Sequence, residues 1–392
     1  MEYFKKLPAD ITVDILSRVP TETVLECKSI CKTWNNLVSN HPSFSKMHLY
    51  HLNQAAVDSG KLGFLALTYE IGKSIPKFSY FEIHQSTTPI EKITRMNLTP
   101  PFTGAINFLG SYNGLVCFTR CRSLVEQLKG DGIVCICNPI TKEYVMLPEI
   151  NRDCCDTTDQ FVSRKTVFGF VSSTNEYKVM RMLLMPEFVE VYIYTLGSGI
   201  GWRNIGRFNV GLSPHAPGIF ANGVVYLIGT QLGVILTFDL SEEIFCENLS
   251  PPLPVYNDSW AYNKIGVLDG FLFYASLLVS QRDYCHDIWL LRKRNVNHDM
   301  KEQEECQSWA WNKEFKVDNR ELLALTKNDS VLTYKNFKLS VYDTKASTSE
   351  TLVEFKDRFR KIHPHKNTLV SLKELGEEDT KIMEPVEGDR KP

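Results

Sequence analysis

The chain has 392 residues, 43% of them hydrophobic and 23% charged, with a formal net charge of −2. That length allows one large domain plus a small one, and the near-neutral balance gives no electrostatic case for nucleic acid or an anionic membrane surface. No stretch approaches the ~20 apolar residues a membrane helix needs, and the opening MEYFKKLPAD lacks the apolar run of a signal peptide.

Helix signals come first along the chain. Pro8 suits a first helical turn, where its missing N–H costs nothing and its fixed φ already fits. At about 100° per residue, Ile11, Ile15, Leu16 and Val19 share one arc, with Asp10, Asp14 and Ser17 largely outside it. Val19-Pro20 ends this helix, because a residue before proline leaves the α region, and the Thr21 hydroxyl is placed to cap the next one. Cys27, Ile30, Cys31, Trp34, Leu37 and Val38 then form one helical stripe that Asn40, His41 and Pro42 close. Three helices in about forty residues bury too little surface to stand alone and need a metal, disulfides or a partner. They either dock on another protein or cap one end of the downstream domain. A helix-turn-helix is disfavoured: the first fifty residues carry six cations against five anions, and the candidate recognition helix is apolar where it should be basic.

From about residue 60 the hydrophobic period changes from 3.6 to 2. Val189, Val191 and Ile193 alternate with Glu190, Tyr192 and Tyr194, and Leu236, Phe238 and Leu240 with Thr237 and Asp239, which is the pattern of strands. Asn113-Gly114, Asn222-Gly223, Asp269-Gly270 and Asn328-Asp329 each precede a short apolar run and supply the positive φ of tight hairpins. Their spacing says more than any one of them. Asn113 and Asn222 are 109 residues apart, with Ser173-Thr174-Asn175 near the midpoint; 47 residues lead on to Asp269 and 59 more to Asn328. A repeat of about fifty residues, each unit holding hairpins, predicts the blades of a β-propeller, about six of them. Two packed sheets would need fewer strands than the roughly twenty marked here. The stretch from Gly376, GEEDTKIMEPVEGDRKP, is charged and proline-containing and reads as disordered.

Few residues suggest chemistry. Gly197-Ser198-Gly199-Ile200-Gly201 follows a strand, but a phosphate loop needs a helix directly after its glycines, and Trp202-Arg203-Asn204-Ile205 reads as a strand. Cys285-His286, beside Asp283 and Asp287, lacks a second ligand cluster for zinc and reads as a loop pair. His363 and His365 flank Pro364 in what reads as a solvated turn. Neither GxSxG nor HExxH occurs, so no catalytic residue, metal or cofactor is expected. The eleven cysteines, odd in number and without a CxxC pair, fit free thiols in a reducing compartment, cytoplasmic or nuclear. Three polar stretches interrupt the strands, at 121–131, 151–165 and 292–307. Each reads as a solvated loop or as a candidate target-binding loop, since propellers recognise partners through loops on a rigid scaffold.

Leu7-Pro8, Ile15-Leu16-Ser17-Arg18-Val19-Pro20, Cys31-Lys32-Thr33-Trp34-Asn35-Asn36-Leu37, Pro42-Ser43-Phe44 and His48-Leu49 together resemble the plant F-box pattern. Val19 stands where that family usually has Leu, and Cys27 where plant members often carry Phe. SYNGLVCF, CNPITKEYVMLP, VFGFVSSTNEYKVMRM, IYTLGSGIGWRNI, GIFANGVVYLIG, FDLSEEIFCENLSPP, DIWLLRKRN and SWAWNKEF, in that order, resemble the motifs of the plant F-box-associated interaction domain. This domain is kelch-like in type, although Gly-Gly kelch blades are not visible here. Leu227-Ile228 departs from a family that often has Trp after Tyr.

The resemblance implies an α+β protein: a small three-helix F-box over 1–48, a mainly β domain over 49–375 built as a propeller of about six blades, and a charged tail over 376–392. It further implies the substrate-recognition subunit of an SCF-type ubiquitin ligase, binding a Skp-family adaptor, a cullin through that adaptor, and an unknown target protein through the propeller. Such a subunit catalyses nothing itself and takes no cofactor. Leu7, Pro8, Ile11, Ile15, Leu16, Val19, Pro20, Val24, Leu25 and Trp34 would form or support the adaptor interface, Trp34 and Leu37 mainly by holding the helices together. Two other functions stay open: an F-box scaffold outside any ligase, and a propeller enzyme with a helical extension.

Overall fold

A computed structural model of the chain describes residues 7–59, 61–69, 76–84, 92–96, 105–121, 132–151, 163–214, 216–231, 233–252, 263–279, 284–293, 309–326, 329–355 and 359–383. Four helices come first: α1 (Ala9–Ser17), α2 (Thr21–Ile30), α3 (Lys32–Asn40) and α4 (Phe44–Ser59). Three were expected, and two physical details account for the fourth. Cys31 adopts an extended backbone (φ −155°, ψ 154°) that splits the stripe from Cys27 to Val38, and its Sγ accepts the Trp34 N–H at 3.5 Å as the cap of α3. The apolar residues of α4 scatter around the helix instead of forming a stripe, and α4 runs through residue 48, where the β domain was expected to begin. Pro20, not Thr21, holds the cap position of α2. The buried Thr21 hydroxyl instead donates to the Asn367 carbonyl at 2.7 Å.

The strands that follow are grouped into six sheets. β1 (Lys61–Tyr69), β2 (Pro76–His84) and β3 (Lys92–Met96) belong to the first. β4 (Ala105–Tyr112), β5 (Leu115–Cys121), β6 (Ile133–Cys137) and β7 (Glu143–Met146) make the second; β8 (Ser163–Val171), β9 (Glu176–Leu184), β10 (Val189–Thr195) and β11 (Trp202–Phe208) the third. The fourth holds β12 (Ile219–Ala221), β13 (Val224–Ile228), β14 (Ile235–Asp239) and β15 (Ile244–Phe245). β16 (Lys264–Leu268), β17 (Phe271–Val279), β18 (Tyr284–Lys293) and β19 (Trp309–Asp318) form the fifth, and β20 (Glu321–Leu325), β21 (Ser330–Lys335), β22 (Lys338–Asp343) and β23 (Thr348–Glu354) the sixth. The chain then returns to the start. β24 (Lys361–Pro364) pairs antiparallel with β1, setting Leu65 opposite His363 and Ala66 opposite Ile362. β25 (Lys381–Ile382) adds a fifth strand outside β7.

These sheets are the blades of a six-bladed propeller, as the repeat predicted. The innermost strands β4, β8, β12, β16, β20 and β24 neighbour one another in a closed ring. Apolar layers fill the wedges between blades: Met180, Val191, Val225 and Phe238 lie between the third and fourth, for example, and Phe64, Phe81, Leu332 and Leu339 between the sixth and first. A middle strand therefore touches a neighbouring blade on each face. For that reason β9 and β10 are buried along almost their whole length instead of alternating. Glu190, which alternates with the apolar residues of β10, is buried too and pairs with Arg207 at 3.5 Å.

The turn dipeptides all occupy one structural position, the hairpin between the first and second strand of a blade. Asn113-Gly114 (φ 48° and 85°), Asn222-Gly223 (49° and 86°) and Asp269-Gly270 (48° and 81°) have the paired positive φ of type I′ turns. Asn175 and Asp329, both at φ 57°, mark the same hairpin in the third and sixth blades; Asn328 lies outside the described residues. These turns gather at one end of the propeller, and the helices pack against that end.

Three expectations are corrected. Cys285, His286 and Asp287 lie on β18, not in a loop, and Asp287 is buried against Lys313 at 2.6 Å. His363 lies on the innermost strand β24 and His365 directly follows it. His365 is buried, with its Nδ1 sharing a hydrogen bond of 2.7 Å with Ser111 Oγ, so neither residue forms a solvated turn. Residues 376–383 are folded: Glu377 and Met383 are buried, and β25 is paired. Residues 384–392 lie outside the described residues.

Two measurements check this packing. Glu243 Oε1, in the β14–β15 turn, accepts from Lys178 of β9 at 3.0 Å and from Arg203 of β11 at 2.5 Å, bolting the third blade to the fourth where Lys178 is buried. Glu243→Ala is expected to lower unfolding stability by roughly 2–4 kcal/mol, whereas breaking the exposed Lys345–Asp329 pair costs under about 0.5 kcal/mol in the same denaturant titration. Burial holds the His365 imidazole down to about 4, below its unfolded value. The unfolded chain therefore takes up a proton that the folded chain refuses. Stability falls as pH drops from about 6.5 towards 4, with a contribution of about 2 kcal/mol from this group by pH 5, and His365→Gln flattens the profile by that amount.

Candidate functional site

α1 carries apolar residues on two sides, and only one side is buried. Thr12, Val13, Leu16 and Ser17 face inward. Val13 and Leu16 join Val24, Val38 and Phe44 in a compact core, with Val19, Leu25, Trp34 and Leu37 partly buried at its edge. The inward hydroxyls are satisfied locally: Thr12 Oγ1 donates to the Pro8 carbonyl at 3.0 Å and Ser17 Oγ to that of Asp14 at 2.8 Å. His48 of α4 closes the corner between α1 and α2, its Nε2 meeting the Val19 carbonyl at 3.0 Å while its ring stacks on Phe44. Burial lowers the His48 pKa, so the ring stays neutral near pH 7.

The other side of α1 is left in solvent. Ile11 is 47% exposed and Ile15 41%, against 4% for Leu16 and 0% for Val24. Leu7, Pro8 and Pro20 are also exposed, and so is Ile30 at the end of α2, which the sequence reading placed in the second helical stripe and not at the interface. Beside this apolar ridge Arg18 makes a 2.8 Å ion pair with Asp14, and its hydrogen bonds hold the Asp14 carboxyl below the ordinary carboxylate range. This ridge of leucine, isoleucine and proline is left uncovered by a core that is already closed behind it. Of the ten residues expected there, Leu7, Pro8, Ile11, Ile15 and Pro20 lie on it. Val19, Leu25 and Trp34 border the core, and Leu16 and Val24 sit inside it.

The three candidate target loops do not share one end of the propeller. The strands flanking 121–131 and 151–165 meet those stretches at the end away from the helices, whereas 292–307 joins β18 to β19 at the helix end. Ser163 to Lys165 belong to β8, and Arg292 and Lys293 to β18; most of each stretch lies outside the described residues. Arg292 sits over the Phe271 ring at 5.4 Å and pairs with Glu314 at 3.3 Å, an engaged surface cation. The glycine loop at 197–201 turns into β11, and its Gly197 N–H is occupied by the chain's own Glu377 carboxylate at 2.7 Å. Among the described residues no group of three or more His, Cys, Asp or Glu is placed to hold a metal ion, and no helix is long and apolar enough to cross a membrane.

Short helices that bury one apolar face and present another, seated on one end of a six-bladed propeller, define an F-box protein of the propeller type. Residues 4–46 match the F-box domain, and residues 65–264, about half of the chain, match the F-box associated beta propeller domain. The chain belongs to that family. It is similar to the Arabidopsis thaliana F-box protein DOR, at 26% identity over 57% of this chain and 55% of that protein. The F-box proteins At1g47340 and At3g57590 of the same plant are likewise 26% identical, over 61% of this chain and 52% and 56% of theirs. The chain thus spans about half the length of these curated relatives. Among solved structures, the crystal structure of a nidogen/laminin complex aligns with 79% of this chain and 100% of that one, at 13% identity and a TM-score of 0.41, a likeness too slight to carry an argument.

The division of α1 into buried and exposed sides is directly measurable. Leu16→Ala is expected to cost roughly 2–4 kcal/mol of helical-block stability, read as faster amide exchange across α1 to α3 in the full chain. Ile15→Ala on the solvent side should change it by under about 0.5 kcal/mol.

Proposed function

We propose that this chain is the target-recognition subunit of an SCF-type ubiquitin ligase, acting in the cytoplasm or nucleus. Its helical block docks on a Skp-family adaptor and, through it, a cullin; its propeller holds a target protein for ubiquitination and proteasomal degradation. The exposed ridge of Leu7, Pro8, Ile11, Ile15 and Pro20 carries this reading, because the core behind it is already closed by Leu16 and Val24 and gains nothing from leaving these side chains in water. In this role the protein supplies proximity. Holding a target beside the charged conjugating enzyme turns a bimolecular encounter into an effectively intramolecular one.

Interfaces of ordinary size depend on a few apolar anchors. The Leu7→Ala, Pro8→Ala double variant is therefore expected to bind the adaptor at least ~50-fold more weakly while the propeller unfolds at its normal temperature. Wild-type co-purification of the double variant with the adaptor would sink the reading. Reconstituted ubiquitination of a bound partner separates a ligase subunit from a scaffold. An activity that survived removal of residues 1–45 would point to a propeller enzyme.

A further inference from the structure

The helical block does not hang from the propeller by α4 alone. Residues 365–383, which follow β24, run between the two and bond to both. On the helix side, Asn367 accepts from Thr21 Oγ1 through its carbonyl at 2.7 Å and donates its side-chain amide to Glu22 Oε1 at 2.6 Å. Lys366 Nζ donates to Asn53 Oδ1 at 2.8 Å, and Leu369 enters the helical core beside Val13, Leu16 and Val24. On the propeller side, Asn138 Nδ2 donates to the carbonyls of Thr368 at 3.1 Å and Val370 at 2.7 Å. Both carboxylate oxygens of Glu143 are used, one by Ser371 Oγ at 2.9 Å and the other by the Leu372 N–H at 2.6 Å. Val370 and Leu372 pack into the layer between the second and third blades.

Beyond that layer the segment is latched twice more. Glu377 accepts from the Gly197 N–H at 2.7 Å and from Tyr194 Oη at 3.1 Å, and β25 then pairs with β7. Gly197 has φ +73°, and a Cβ added there would collide with the Leu375 carbonyl oxygen. Glycine is thus required at this position by the passing segment as well as by the turn.

We infer that residues 365–383 form a coupling element that fixes the orientation of the helical block on the propeller, with Asn367, Leu369 and Glu377 as positioning residues. Glu377 bonds to the third blade and not to the helices, yet releasing it frees the far end of the segment that the helices are bonded to. Its purpose, a fixed geometry between docked adaptor and held target, rests on the proposed ligase role. The coupling itself does not.

The test uses the full chain, with amide exchange and small-angle scattering as readouts. Glu377→Ala and Asn367→Ala are each expected to accelerate exchange in 366–380 and α1 to α3 roughly tenfold, leaving β9 and β10 within twofold of wild type. Scattering should show a larger maximum dimension. Glu377→Gln keeps an acceptor for the Gly197 N–H and should behave as wild type, whereas Glu377→Met keeps the volume without the acceptor and should behave as Glu377→Ala, which a role in packing alone would not predict. Unchanged helix exchange and an unchanged scattering profile, with 366–380 demonstrably released, would overturn the inference. Adaptor binding is measured in parallel: if the wild-type chain fails to bind a Skp-family adaptor, the ligase reading falls while the exchange result stands.

Discussion

The pairing of β24 with β1 decides how the rest of this molecule is arranged. It joins residues about three hundred positions apart, Phe64 opposite Pro364 through Leu67 opposite Lys361, and converts an open row of blades into a ring. Loop-closure entropy grows only with the logarithm of length, so so distant a pairing costs just a few kcal/mol more than a short one. The aromatic layer it completes offsets that cost. Phe64 and Phe81 lie 5.4 Å apart between ring centroids and Phe355 and Phe359 4.5 Å apart, while Tyr334 Oη accepts the Phe359 N–H at 2.9 Å. Left open, the ring would expose the apolar faces of its first and last blades and the unpaired edge of β1.

The same pairing determines which end of the propeller carries the helices. Because β24 supplies the innermost strand of the first blade, β1 is a second strand, and every second strand starts at the end where the Asn-Gly and Asp-Gly turns lie. The chain therefore enters the propeller from α4 at that end. β24, an innermost strand, also finishes there, which delivers residue 365 to the underside of the helical block. Thr21 and Asn367 meet across 346 residues of sequence for this topological reason.

Local chemistry was legible in the sequence and long-range closure was not. Asn113-Gly114, Asn222-Gly223 and Asp269-Gly270 announced their hairpins because a type I′ turn restricts the residues that can form it, and their recurrence revealed the blade period. The exposed apolar ridge of the helical block was legible too, through Pro8, Pro20 and the spacing of Ile11 and Ile15. The same spacing put Leu16 on the ridge, since an arc of apolar residues does not say which of its edges meets the core. β24 left no signal: four residues with a lysine, a histidine and a proline carry no period, and the burial of Ile362 among them comes from partners at the other end of the chain. The charged composition of 376–383 suggested disorder for the same reason. Its order comes from Gly197, Tyr194 and β7, none of which is nearby in sequence.

The helical ridge and the far end of the propeller stay at a fixed distance only if the joint between block and propeller is held. The flanks of 121–131 and 151–165 lie at the end of the propeller away from the helices, so a partner bound there is separated from the ridge by the full length of the blades. Effective concentration at a second site depends steeply on whether the connection between sites is stiff. The blades are stiff, because each is packed on both faces, and Lys178, Glu243 and Arg203 also bolt the third to the fourth. A single helical connection would leave the joint between block and propeller as the flexible point. Asn367 and Leu369 bridge that joint with a second, independent stretch of chain, and two connections remove the hinge that one would leave.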